Sequence, residues 1–298
     1  MTKIISSPLA WIDDDDEKEQ VWEAASQRLS ERSGRTAIGD ITRTFAIPLS
    51  IAASTAAEAG LVTTEQALSL DLDEFVELSI HEPALTADNL GFKTWVSSFL
   101  LAKRLASVHS SLPELEEDST ILELGAGTGL VGMSAAVISR RHVILTDLPE
   151  IVPNLDRNVR ANAAQISTRG GIMSTAVLDW SKPEDFTLCE DTALRANSFP
   201  LIFAADPIYS VEHPALLVNA ISYHLSKDTD ARVVIELPVR DGFAAERQDF
   251  RDRMAKEGLG VIEQGEEIGH DDWSSAKSDE PAEVRCWWSV WGWHHGAR

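Results

Sequence analysis

The chain has 298 residues, 44% of them apolar, with 48 acidic against 26 basic side chains and a formal net charge of −22. That size allows a substantial core, in one large domain with an appendage or in two small ones, while the acidic excess repels nucleic-acid phosphates and favours a basic partner. No run of about 18 apolar residues occurs, and the opening MTKIISSPLAWIDDDDEKEQ lacks the basic-then-apolar order of a secretory signal, so no membrane contact and a cytoplasmic location are expected.

Residues 13–19, DDDDEKE, open an expected helix from Glu17 to Arg32, with acids near the positive end of its dipole. After Gly34 and Gly39, Thr42 to Ile47 alternates ahead of Pro48 and reads as a short strand. Residues 1–73 are therefore expected to be an accessory extension of helix and strand, and residues 74–298 the main domain. Glu74 to Ile80, EFVELSI, alternates as a half-buried strand that stops at His81-Glu82-Pro83. His81 and Glu82 have no HExxH pattern or second ligand pair beside them, so a strand-end turn is expected there and no metal. Residues 94–108, TWVSSFLLAKRLASV, carry apolar positions at helical spacing and predict a helix feeding the core.

Residues 120–147, TILELGAGTGLVGMSAAVISRRHVILTD, hold the pattern on which the rest is organised. An apolar run through Leu124 breaks at Gly125-Ala126-Gly127-Thr128-Gly129, an Ala-rich helical segment follows from Leu130 to Ser139, and a second apolar run ends in Asp147. This is strand, glycine turn, helix and parallel strand. The glycines let a ligand approach main-chain N–H groups at a helix start, and a carboxylate closing the next strand can accept two ribose hydroxyls. A nucleoside-bearing cofactor fits. Gly127-x-Gly129-x-x-Gly132 with Asp147 also satisfies a dinucleotide fingerprint, and spacing alone leaves both readings open.

Ile151 to Ala163 is the next expected helix, with Asn154, Asn158 and Asn162 along one line. Ile172 to Leu178 reads as a strand closing on Asp179-Trp180, and Leu201 to Ala205 as one closing on Asp206-Pro207-Ile208-Tyr209. Three strands thus end in a carboxylate, and Asp147, Asp179 and Asp206 should share the rim where open α/β sheets bind ligands. A helix from Pro214 to Leu225, a strand from Arg232 to Glu236 and a helix from Phe243 to Glu257 continue the alternation. Runs at Val261 to Glu263 and Val284 to Trp293 read as a terminal antiparallel pair. Cys189 and Cys286 lie far apart without Cys-x-x-Cys or Cys/His spacing, which indicates neither a disulfide framework nor a zinc site.

Together, Glu123 to Gly129 (ELGAGTG), Thr146 to Leu148 (TDL), Asp179-Trp180 and Asp206 to Tyr209 (DPIY) resemble the class I, seven-strand S-adenosylmethionine-dependent methyltransferases. Within them the chain looks like the protein-lysine methyltransferase branch, in which an Asp-x-x-Tyr tetrad follows strand four. Ile80 to Trp95 and Val284 to Trp293 further resemble fungal members that modify translation elongation factors.

The resemblance implies a Rossmann-like sheet of seven strands, mostly parallel with an antiparallel last strand, helices on both faces and an N-terminal accessory extension. It implies S-adenosyl-L-methionine as cofactor, with Gly125, Ala126, Gly127, Thr128 and Gly129 beside its methionine part, Glu123 supporting that turn, and Asp147 with Leu148 at the ribose. Trp180 would flank adenine and Asp179 its amino group. Trp95, expected in the helix before strand one, would close over the cofactor, and Ala205 would complete its site. Asp206 and Tyr209 would border the methyl-transfer end as catalytic residues. The implied substrate is a protein with an exposed lysine, with an elongation factor as the finer implication; the alternative is small-molecule N- or O-methyl transfer on the same fold.

Overall fold

The computed structural model describes residues 39–58, 74–84, 90–108, 112–188, 196–271 and 282–294, with scattered positions between 7 and 22. In chain order these form β1 (Ile41–Pro48), α1 (Ile51–Glu58), β2 (Phe75–Glu82), α2 (Val96–Arg104), β3 (Thr120–Leu124), α3 (Leu130–Ser139), β4 (His142–Asp147) and α4 (Val152–Ser167). Then follow β5 (Ile172–Val177), β6 (Thr187–Leu188), β7 (Leu201–Ala205), α5 (His213–His224), β8 (Arg232–Pro238), α6 (Ala244–Lys256), β9 (Leu259–Asp271) and β10 (Ala282–Trp293).

Continuous apolar runs form the central strands because both sheet faces are covered: every residue of β7 is buried, as is all of β3 beyond Thr120. The main sheet has the order β6-β5-β4-β3-β7-β8-β10-β9. Strands β5, β4, β3, β7 and β8 run parallel, and β10 is antiparallel to both β8 and β9. The expected seven-strand, mostly parallel sheet is present. The two-residue β6, antiparallel to β5, is an addition too short to leave a periodic signal.

Helices cover both faces. Residues of α2, α3 and α4 pack with Ile121, Leu145 and Phe203 on one side, while α5 and α6 pack with Leu122, Ile144 and Ile235 on the other. Successive strands are laid down outward from β3, first through β4 and β5, then on the opposite side through β7 and β8. Between β3 and β7 the crossovers leave toward opposite faces, and a crevice opens at their carboxyl ends.

Outside this sheet, β1 and β2 form an antiparallel pair, which α4 docks through its asparagines. Asn162 accepts the Ser79 N–H and donates to the Ser79 carbonyl, and Asn158 does the same for His81. Asn154 donates to the His81 carbonyl and contacts its ring nitrogen. A side-chain amide offers both a donor and an acceptor, so asparagines at i, i+4 and i+8 stand in for a neighbouring strand along the edge of β2.

Some expectations shift. The helix expected over 94–108 spans only Val96–Arg104, and Trp95 is its N-cap in extended conformation, φ −79 and ψ 159. Thr94 just before it is fixed by donating its N–H to Glu82, which holds the chain extended up to the helix start. The run at Val261 to Glu263 belongs to a 13-residue strand. Of the helix expected from Glu17, residues 17–19 and 21–22 are helical; its remainder to Arg32, and Cys189, lie outside the described residues. Cys286 is buried and free. Among the described residues no helix is long and apolar enough to cross a membrane, and no group of three or more His, Cys, Asp or Glu side chains could hold a metal ion.

Candidate functional site

The turn after β3 has the left-handed geometry its sequence demands: Gly125, Gly127 and Gly129 have φ of 69, 57 and 90, a region that costs residues with a Cβ about 1–2 kcal/mol. Ala126 donates its N–H to the Thr146 carbonyl at 2.9 Å, and Asp147 accepts the Gly127 N–H at 2.7 Å and the Leu148 N–H at 2.8 Å. The carboxylate of β4 therefore clips the glycine turn of β3 to its own strand end. Each of its oxygens keeps a second lone pair for a ligand hydroxyl. Burial pushes the Asp147 carboxyl up to about 6, against the two backbone hydrogen bonds that lower it.

Glu123 and Gly129 shape this turn from behind and do not line the cavity in front of it. Glu123, fully buried, accepts the Gly132 N–H at 2.9 Å and so ties β3 to the first turn of α3. Burial holds its carboxyl well above the usual range. Gly129 is the N-cap of α3.

The remaining twelve residues of the expected site meet at one cavity of about 380 Å³. Gly125, Ala126, Gly127 and Thr128 of the turn line it together with Asp147, Leu148, Asp179 and Trp180 from the ends of β4 and β5. Trp95, Ala205, Asp206 and Tyr209 complete it. A Cβ on Gly125 would stand 3.0 Å from Trp180 Cζ2, so the turn and the indole edge are in direct contact. Asp179 is exposed, and the N–H of Ser181 that it accepts lowers its carboxyl.

At the end of β7, Asp206 takes φ +51, a conformation Asp tolerates better than most side chains. Its N–H donates to the Glu236 carbonyl at 2.8 Å. The side chain is buried, with Oδ2 receiving Arg240 Nη2 at 3.2 Å and Oδ1 shut from solvent without a hydrogen-bond partner. Burial raises this carboxyl to about 6 and Arg240 opposes the shift. Tyr209 is 44% exposed. Its hydroxyl is held above its ordinary value by burial and by Asp147 and Asp206.

Three residues here escaped the sequence reading. His213, the first residue of α5, accepts the Tyr209 N–H at 3.3 Å and stands edge-on to the Tyr209 ring at 4.2 Å and to Trp180 at 6.0 Å. Lys93 lies 4.7 Å from the Trp95 ring centroid and 2.5 Å from Asp271, while the Arg240 guanidinium faces the same ring at 5.6 Å. Only the spacing of His213 from Tyr209, four residues at a helix start, offered any local signal. Arg240 reaches Asp206 through the pairing of β7 with β8, and Lys93, ahead of α2, reaches Asp271 at the end of β9 across 178 residues.

A left-handed glycine turn, a strand-end carboxylate beside it and a cavity at the switch point of a seven-strand sheet define an S-adenosylmethionine-dependent methyltransferase of class I. The residues fit that cofactor: Asp147 retains lone pairs for hydroxyls, and Trp180 supplies an aromatic wall beside the glycine turn. Residues 73–256 match the family model described as lysine methyltransferase, and the chain belongs to that family. It is similar to the protein-lysine N-methyltransferase EFM2 of Saccharomyces cerevisiae, 36% identical over 85% of this chain and 56% of that protein's length. It is also similar to the protein-lysine N-methyltransferase rrg1 of Schizosaccharomyces pombe, 32% identical over 99% of this chain and 84% of that one. Among solved structures, P. horikoshii TYW2 in complex with MeSAdo overlays with a TM-score of 0.44 at 17% identity, covering 72% of this chain and 70% of that one.

Proposed function

We propose that this chain transfers a methyl group from S-adenosylmethionine to the ε-amine of a lysine on a basic protein, a translation elongation factor, in the cytoplasm. The observation that carries this reading is that Asp206 and Tyr209 border the same cavity as the glycine turn and Asp147. The elongation-factor reading rests on the likeness of Ile80 to Trp95 and Val284 to Trp293 to fungal enzymes of that kind. Residues 1–73 are proposed as an accessory extension to a catalytic domain of residues 74–298, and the family match from residue 73 supports that division.

When bound, the cofactor supplies an activated methyl on a sulfonium, so the protein's task is to align an uncharged amine for in-line attack. Asp147 would hold the ribose and Trp180 the adenine. A free lysine has a pKa of about 10.4, and entry into a partly buried site beside a cationic sulfonium favours loss of its proton. Asp206 would orient the amine, and Tyr209 would offer its ring face or its hydroxyl to it.

The test is transfer of radiolabelled methyl from S-adenosylmethionine to purified elongation factors and to fractionated cytosolic protein, with the modified residue located by mass spectrometry. Label on a lysine of an elongation factor is expected. Label on another protein removes the elongation-factor reading alone, and label confined to small metabolites selects small-molecule methylation.

A further inference from the structure

Asp206 is steadied by a residue that does not line the cavity. Arg240 follows β8 and has its backbone fixed: its N–H donates to Pro238 at 3.1 Å, and its carbonyl receives the Phe243 N–H at 3.1 Å and Arg247 Nη1 at 2.6 Å. From that anchored position its guanidinium reaches Asp206 Oδ2 at 3.2 Å and faces the Trp95 ring at 5.6 Å. The two ends of the carboxylate are therefore unlike. Oδ2 is clamped, and Oδ1 is buried with nothing to accept.

A carboxylate buried this way tends to take up a proton, because desolvation penalises its charged form. Burial raises Asp206 to about 6, and of the influences that resist this, the charge and hydrogen bond of Arg240 come first. Other groups surround it. Lys93 ahead of α2 also favours the charged form and Asp271 at the end of β9 disfavours it. The Cys286 thiol on β10 is itself pushed up by burial and by Glu236 and Asp206. Tyr209 on the same loop as Asp206 is likewise raised by it. Lys93 is already engaged with Asp271 at 2.5 Å, which leaves Arg240 as the cation in direct contact with Asp206.

Protonation state matters here because an ionised Asp206 only accepts hydrogen bonds, whereas a protonated one would present an O–H to the amine that must receive the methyl. We propose that Arg240 is a positioning residue for methyl transfer: it grips Oδ2 of Asp206, fixes the carboxylate's orientation and keeps it ionised, an acceptor for the substrate amine's N–H. This rests on the reading of Asp206 as the group that orients the lysine. Arg240 acts through Asp206 and touches neither substrate nor cofactor.

The experiment compares the full chain with Arg240→Gln and Arg240→Lys. It measures kcat/KM for methylation of a purified elongation factor from pH 5.5 to 9.5, S-adenosylmethionine affinity by calorimetry, and titration of the Asp206 carboxyl by 13C NMR, assigned with Asp206→Asn. Arg240→Gln should move the acid limb upward by about one pH unit, so activity falls about tenfold where Asp206 is newly protonated and recovers near pH 9. Its NMR titration should rise in parallel while cofactor affinity holds, and Arg240→Lys should restore much of the wild-type profile. A loss equal at every pH would mean a structural role and overturn the proposal. An unmoved NMR titration would overturn the Arg240 coupling and leave the reading of Asp206 standing. A shifted titration with an unshifted rate profile would overturn the role in the reaction and that reading of Asp206 with it.

Discussion

The carboxylate of Asp147, at the end of β4, accepts the N–H of Gly127 at 2.7 Å across 20 residues of chain, so one side chain both shapes the glycine turn and lines the cavity in front of it. With its carboxyl raised to about 6 by burial, cofactor affinity should weaken as pH falls through that value, by about tenfold between pH 7 and 5, because the ionised form is the better hydroxyl acceptor. Calorimetry with S-adenosylmethionine at pH 5, 6 and 7.5 checks this, and Asp147→Asn should bind more weakly with a flatter pH profile. A wild-type affinity that does not vary with pH would remove Asp147 from the ribose. The sign for stability runs the other way. A carboxyl raised above its unfolded value of about 3.9 stabilises the fold below that value and loses the contribution as pH rises through about 6.

Asp206→Asn should keep its shape and its cofactor affinity yet lose the charge that draws and orients an ammonium. Single-turnover methylation at saturating cofactor is expected to fall by about a hundredfold or more, the scale typical of a positioned acid–base or orienting group. Near-normal rates would reduce Asp206 to a turn-forming residue. Tyr209→Phe separates the two roles of that ring: retained activity assigns the aromatic face, and loss assigns the hydroxyl.

Gly132→Ala should destabilise the protein although Gly132 is helical, since the added Cβ would run into Glu123 Oε2 and the Leu145 side chain. Overpacking of that kind costs about 1–3 kcal/mol. Denaturant unfolding of the variant measures it, and a loss below about 0.5 kcal/mol would show that Glu123 swings away freely.

Asn158→Leu is nearly isosteric but removes the acceptor of the His81 N–H and a donor to the Thr128 carbonyl, while the His81 carbonyl keeps Asn154. Each buried group left unpaired costs about 1–3 kcal/mol, so unfolding stability should drop by several kcal/mol and β1–β2 should loosen first. Hydrogen exchange at Ser79 and His81 reports that loosening. Unchanged protection there would mean the strand pair is held by packing alone.

The net charge of −22 predicts a salt-sensitive encounter with a basic protein substrate. KM for that substrate should rise between about 50 and 300 mM salt, as the Debye length shortens from roughly 14 to 6 Å. Cofactor affinity over the same range is the internal control, and a KM indifferent to salt would exclude steering.

Local chemistry made much of this protein legible in its sequence. The glycine turn, the apolar strands and the carboxylates at Asp147, Asp179 and Asp206 follow from backbone sterics and hydrophobic period, which act over a few residues, while Trp95, Trp180, Ala205 and Tyr209 were reached only through the resemblance to a family; together these line one cavity. The line of asparagines on α4 was visible too, yet the strand edge it serves lies 73 to 83 residues away, and nothing in periodicity names a partner at that range. Short elements such as α1 and β6 carried too little pattern to register. Helical spacing puts Trp95 inside a helix that begins one residue later, because it does not see the Glu82 carboxylate that ties down Thr94. The pairing of β7 with β8 alone brings Arg240 to Asp206 across 34 residues. Sheet order decides such contacts, since the same strands laid down in another order would keep every local signal and separate those two charges.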